Sequence, residues 1–143
     1  MSALYGIADY YVSTSVAEGQ NLPLLEAMAH GTIPVSTSNT AMADYVKPDN
    51  AFLIAERVVA NTSAHMAGTI AGKPFNIHVS SSRDVFSALM QSRAATPARR
   101  RKMATACVAT VKAQFSNEAV WPMIAQRIAA VAASRARGSE TES

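Results

Sequence analysis

One cysteine, Cys107, serves all 143 residues. That excludes an internal disulfide and any cysteine-built metal cluster, and it suits a reducing compartment. No apolar run approaches the roughly 18–20 residues that cross a bilayer. The start Met1-Ser2-Ala3-Leu4-Tyr5-Gly6 lacks both the basic segment and the long apolar core of a secretory leader, so a cytoplasmic protein is expected. No internal repeat, no Asp-x-Asp pair and no clustered metal ligands stand out, so no metal and no cofactor is expected. Charge of either sign is also modest. Thirteen basic against ten acidic residues leave a net +3, which argues for neither nucleic acid nor an acidic partner. What is present is ordinary for a globular protein: 49% hydrophobic and 16% charged residues, in a length that gives one domain with a real core.

Along the chain, aromatic and β-branched residues over 8–14 predict a short buried strand. Residues 15–20 read as a loop. Asn21 can cap a helix whose first turn tolerates Pro23, and Gly31 supplies a left-handed stop after His30. Leu24, Leu25, Met28 and Ala29 form the expected apolar arc, with Glu26 on the other side. A strand is expected at 33–36, with Pro34 at its start or on an edge. A short helix over 40–46 and a strand over 51–54 follow. Strand, helix and strand at this spacing imply βαβ units and a parallel sheet. Residues 56–80 read as loop, with a short helix near 64–71. Helices are expected over 83–93, capped by Ser82, over about 97–114, capped by Thr96 with Pro97 first, and over about 117–135, capped by Ser116 with Pro122 inside. Residues 137–143 read as a polar tail.

The stretch that carries chemistry runs from Glu18 to Gly31. Two carboxylates, Glu18 and Glu26, stand eight positions apart around a loop-to-helix junction at residues 19–22. A helix start offers free N–H groups and roughly half a positive charge, which suits a diphosphate. Gly19 lets backbone approach a ligand closely. Glu18 would stand before that site, and Glu26 roughly 6–8 Å further along the helix axis. Carboxylates accept paired hydrogen bonds from vicinal hydroxyls, as on a ribose or a hexose. Glutamates also gather at helix starts merely because negative charge favours the dipole, so spacing alone does not decide between the two readings.

The residues taken together resemble the retaining glycosyltransferases of family four, which have the GT-B fold. Their signature EGFGLPxxEAMAxGxPVV stands here as Glu18-Gly19-Gln20-Asn21-Leu22-Pro23-Leu24-Leu25-Glu26-Ala27-Met28-Ala29-His30-Gly31-Thr32-Ile33-Pro34-Val35. The preceding residues 4–15 look like the family's "lYaxADvfvxPS". Ala43-Asp44-Tyr45-Val46, Asn50-Ala51-Phe52-Leu53-Ile54 and Phe115-Ser116-Asn117-Glu118-Ala119-Val120 look like "xEyV", "nGfLv" and "FSwexv". The resemblance is dense over 4–54 and thin afterwards.

It implies an α/β fold: a partial Rossmann-like parallel sheet flanked by helices, equivalent to the C-terminal half of a GT-B C-terminal domain, over residues 1–136. It implies transfer of a hexose from a nucleotide-diphosphate sugar to a carbohydrate or lipid-linked acceptor with retention of configuration, without a metal. Glu18 would be the catalytic-site residue against the hexose hydroxyls. Gly19, Gln20, Asn21 and Leu22 would meet the donor through backbone, and Glu26 would hold the ribose hydroxyls. Gln20-Asn21 replaces the family's Phe-Gly, which puts sugar specificity in doubt more than the turn, since Asn tolerates left-handed backbone. The family's basic pair on the diphosphate and its N-terminal acceptor domain have no counterpart in residues 1–143. The chain by itself is therefore expected to be inactive, with an open sheet edge that invites either the missing domain or a homo-oligomer. A non-catalytic nucleotide-sugar-binding or interaction module that keeps this fold is the alternative.

The remaining residues read more plainly. His30 suits the dipole at a helix end, His65 and His78 read as surface or loop residues, and Cys107 as a buried structural thiol. Trp121 to Ile124 reads as core packing. Arg99-Arg100-Arg101-Lys102 circles a solvated helix start and leaves room for weak contact with an anionic membrane at its inner face.

Overall fold

A computed structural model describes residues 2–60 and 76–140 of the chain. The helix expected near 64–71 and His65 lie outside the described residues. The elements run α1 (Ser2–Ile7), β1 (Tyr10–Ser13), α2 (Leu22–Ala29), β2 (Ile33–Ser36), a 3-10 helix (Thr40–Asp44), β3 (Phe52–Leu53), β4 (Arg57–Ala60), β5 (Asn76–Val79), α3 (Ser82–Arg93), α4 (Pro97–Phe115) and α5 (Asn117–Glu140).

β1, β2 and β3 form a parallel sheet in that order, with Tyr10 opposite Ile33 and Val35 opposite Phe52. Side chains alternate across it with the strand period of two. Tyr11 and Leu53 face a cluster built from Leu24, Leu25, Met28, Met42, Tyr45 and Cys107. Tyr10, Ile33, Val35 and Phe52 face a second cluster with Ala88 and Met103. Both faces are thus covered, as a parallel sheet requires. The expected α/β class, a Rossmann-like parallel sheet flanked by helices, is the fold observed.

Several local expectations change. β2 is the central strand, so Pro34 is not on an edge. β3 pairs only with Val35 and Ser36, which leaves Pro34 outside that second ladder. On α2 the buried residues are Leu24, Leu25, Ala27 and Met28, while Ala29 is exposed. At 100° per residue Ala27 lies one turn from Leu24, closer to the sheet than Ala29. The segment expected to be loop from residue 56 holds β4 and β5, an antiparallel pair with Arg57 opposite Val79. His78 therefore lies on a strand and pairs with Glu56 at 3.4 Å. α5 runs on to Glu140. Trp121 and Met123 are 66% and 69% exposed, so the expected core packing there is overturned. The physical reason is placement: among the described residues α5 packs on α4 alone.

The cap of α3 is Ser81, one residue before the expected Ser82. Its hydroxyl accepts from the Asp84 N–H, and Asp84 accepts from the Ser81 N–H in a capping box. The Ser81 hydroxyl first, and its N–H second, hold the Asp84 carboxyl below its ordinary value. A depressed carboxylate stabilises above the unfolded-state value, and that stability is lost as pH falls through the folded-state value. Ser81→Ala is expected to cost about 1 kcal/mol at neutral pH by urea denaturation, and the difference from wild type should shrink in acid.

Cys107 is fully buried, donates to the Asn50 carbonyl at 3.1 Å, and burial pushes its thiol up to about 12. A thiol-reactive chromophore at pH 8 is expected to label it only after denaturant is added. Rapid labelling of the folded chain would contradict the burial.

Candidate functional site at the carboxyl edge of the sheet

In a βαβ unit the chain leaves each strand at the sheet's carboxyl edge, and the helix begins there. Ligands of open α/β sheets bind at that edge. Here the residues beyond Ser13 and Ser36 are mostly hydroxyl and amide residues: Thr14, Ser15, Thr37, Ser38, Asn39 and Thr40.

Asn21 organises the junction. Its backbone is left-handed, at φ 55 and ψ 62. Asn pays less than most residues for that region because its side chain can bond locally. Its side-chain oxygen accepts from the Leu24 N–H at 3.3 Å, and its amide nitrogen donates to Ser13 Oγ at 3.2 Å. The cap and the end of β1 are therefore tied together. The Tyr45 hydroxyl donates to the Gln20 carbonyl. Burial first, and the charge of Glu18 second, push that phenol up to about 12, so it remains a donor across the physiological range.

Glu18 is half-buried. Its carboxylate accepts from Ser15 Oγ at 2.7 Å, and its N–H donates to Thr40 Oγ1 at 2.9 Å. Thr40 itself has φ 47, an uncommon backbone for a β-branched residue. The N–H groups of Gly19, Gln20, Asn21 and Leu22 have no acceptor among the described residues. Open N–H groups at a helix start are the kind of donors that suit an anion. A Cβ on Gly19 would meet nothing within 4 Å, so this backbone is open to a ligand.

Residues 1–71 match the family model described as "Glycosyl transferases group 1". No curated protein matches the chain. The first half of the chain is thus similar to the group 1 glycosyltransferases, and the match ends outside the described residues.

Within this glycosyltransferase-like segment, Glu18, Gly19, Gln20, Asn21 and Leu22 come together at one junction. Glu26 stands apart from them. It is exposed on α2 and its charge acts on Tyr5 of α1, whose hydroxyl is pushed up first by burial and then by Glu26. A ligand touching both glutamates would have to run along the first turn and a half of α2.

Beside the loop lies a cleft of about 270 Å³, lined by Ser15, Thr37, His78 and Ser80 among others. Ser15, Thr40 and the Glu56–His78 pair were not anticipated from the sequence. Glu56 also accepts from the Ser38 N–H at 3.0 Å and from Asn39. The polar run after β2 was the available signal for Thr37 to Thr40. His78 had none, because its strand partner lies about twenty positions away. No helix among the described residues is long and apolar enough to cross a membrane.

Proposed function

We propose that this chain is the donor-binding part of a retaining glycosyltransferase of the family-four type, acting on a nucleotide-diphosphate sugar and a carbohydrate or lipid-linked acceptor. The observation that carries it is the row of open N–H groups at Gly19 to Leu22, held by the left-handed Asn21 cap beside Glu18.

In this reading the diphosphate lies on those N–H groups and on the positive end of α2. Glu18, fixed by Ser15 and Thr40, accepts hydroxyls of the hexose and favours positive charge developing at its anomeric carbon. Glu26 accepts the two ribose hydroxyls. Residues 1–136 form one donor-binding unit, which works with an acceptor-binding partner domain. Glu26→Ala is expected to weaken nucleoside-diphosphate binding by about 1.5–3 kcal/mol, the range for a hydrogen-bonded charged group. Calorimetry on the wild type and the variant tests this. Unchanged affinity would remove Glu26 from the site.

A further inference from the structure

A second cleft, of about 350 Å³, opens at the other edge of the sheet, where β1 and β2 begin. The four residues of each strand separate it from the Glu18 loop by about 13 Å. Arg100 and Arg101 of α4 line it, together with His30, Asp9 and Tyr5.

Arg99, Arg101 and Lys102 are exposed, as expected of a solvated helix start, but the arginines of the run point to different places. Arg99 turns to the sheet, its guanidinium carbon 5.0 Å from the centroid of the Phe52 ring. Arg100 and Arg101 turn to the cleft instead. Among the described residues no carboxylate lies within 4.0 Å of either guanidinium. Arg100 is also half-buried, which raises the cost of leaving its charge unmatched. The His30 ring lies against Tyr5, with centroids 6.1 Å apart and planes inclined by 22°, which fixes one wall. Asp9 is the acidic residue of the lining.

Two guanidiniums lining one cleft are suited to a phosphate, whose oxygens accept their forked N–H groups. A lone carboxylate in the same cleft would repel a bare anion, but it accepts hydroxyl protons well. We propose that this cleft binds a small soluble phosphate monoester that also carries hydroxyls, of about the size of a hexose phosphate. Arg100 and Arg101 hold the phosphate and Asp9 takes the hydroxyls. The site is separate from the proposed donor site and does not depend on it.

The test is calorimetric titration of the 143-residue chain at low salt with glucose 6-phosphate, glucose and inorganic phosphate, alongside flotation with phosphatidylglycerol vesicles. Glucose 6-phosphate is expected to bind at least tenfold more tightly than either glucose or inorganic phosphate. Arg100→Gln and Arg101→Gln should each weaken it tenfold or more, whereas Asp9→Asn should weaken the hexose phosphate and not inorganic phosphate. Arg101 is exposed, so Arg101→Gln keeps the test open if Arg100→Gln fails to fold. Equal affinity for phosphate and hexose phosphate would overturn the proposal. So would affinity indifferent to Arg101→Gln, absence of binding, or binding to vesicles alone.

Discussion

Asn21→Val is expected to destabilise the chain by about 3–4 kcal/mol, although Val fills a similar volume. Three effects converge. A β-branched residue pays about 1–2 kcal/mol in the left-handed region that Asn21 occupies. The helix cap to Leu24 is lost, at about 1 kcal/mol. Ser13 Oγ, in a residue only 8% exposed, loses its amide donor, at about another 1 kcal/mol. Asn21→Gly separates these effects, since Gly tolerates the left-handed backbone and is a serviceable cap. It should cost about 1 kcal/mol, chiefly from the lost Ser13 bond. Urea denaturation of both variants checks the difference. Equal losses would mean that the left-handed backbone does not matter to the fold.

Phe52→Ala should be worse for stability, at about 3–5 kcal/mol. Phe52 is 2% exposed and stands on a strand of only two residues, where ladder bonds hold little. Packing fixes β3 instead. The Tyr10 ring meets Phe52 edge-on, with centroids 5.9 Å apart at 73°, and Arg99 covers its face. Removing the ring opens a cavity between β1, β3 and α4. A thermal melt within a few degrees of wild type would contradict this role.

The legible parts of the fold were those fixed by local chemistry. Asn21, Pro23 and Gly31 punctuate α2 within one short stretch, and Gly31 indeed has φ 79. Thr96-Pro97 marks the start of α4 in the same way. The less legible parts depend on distant partners. Arg57–Ala60 and Asn76–Val79 are four-residue strands that exist by pairing with each other, and neither shows a long alternating pattern. Trp121 and Met123 read as core because large apolar side chains are usually buried. Whether they are depends on what packs against α5, which local sequence does not encode. At the candidate site the Glu18-to-Glu26 spacing was visible at once. The supports of Glu18 were not, because Thr40 reaches it from twenty-two positions away.

The most direct test of the donor-site reading follows the amide signals of the ¹⁵N-labelled chain during titration with a panel of nucleoside diphosphates. At least one of them is expected to shift Gly19, Gln20, Asn21 and Leu22 most strongly, with affinity near the millimolar range, about −4 kcal/mol. Glu26→Ala is expected to weaken the response. Those four amides staying unmoved while other signals shift, or a response indifferent to Glu26→Ala, would contradict that reading.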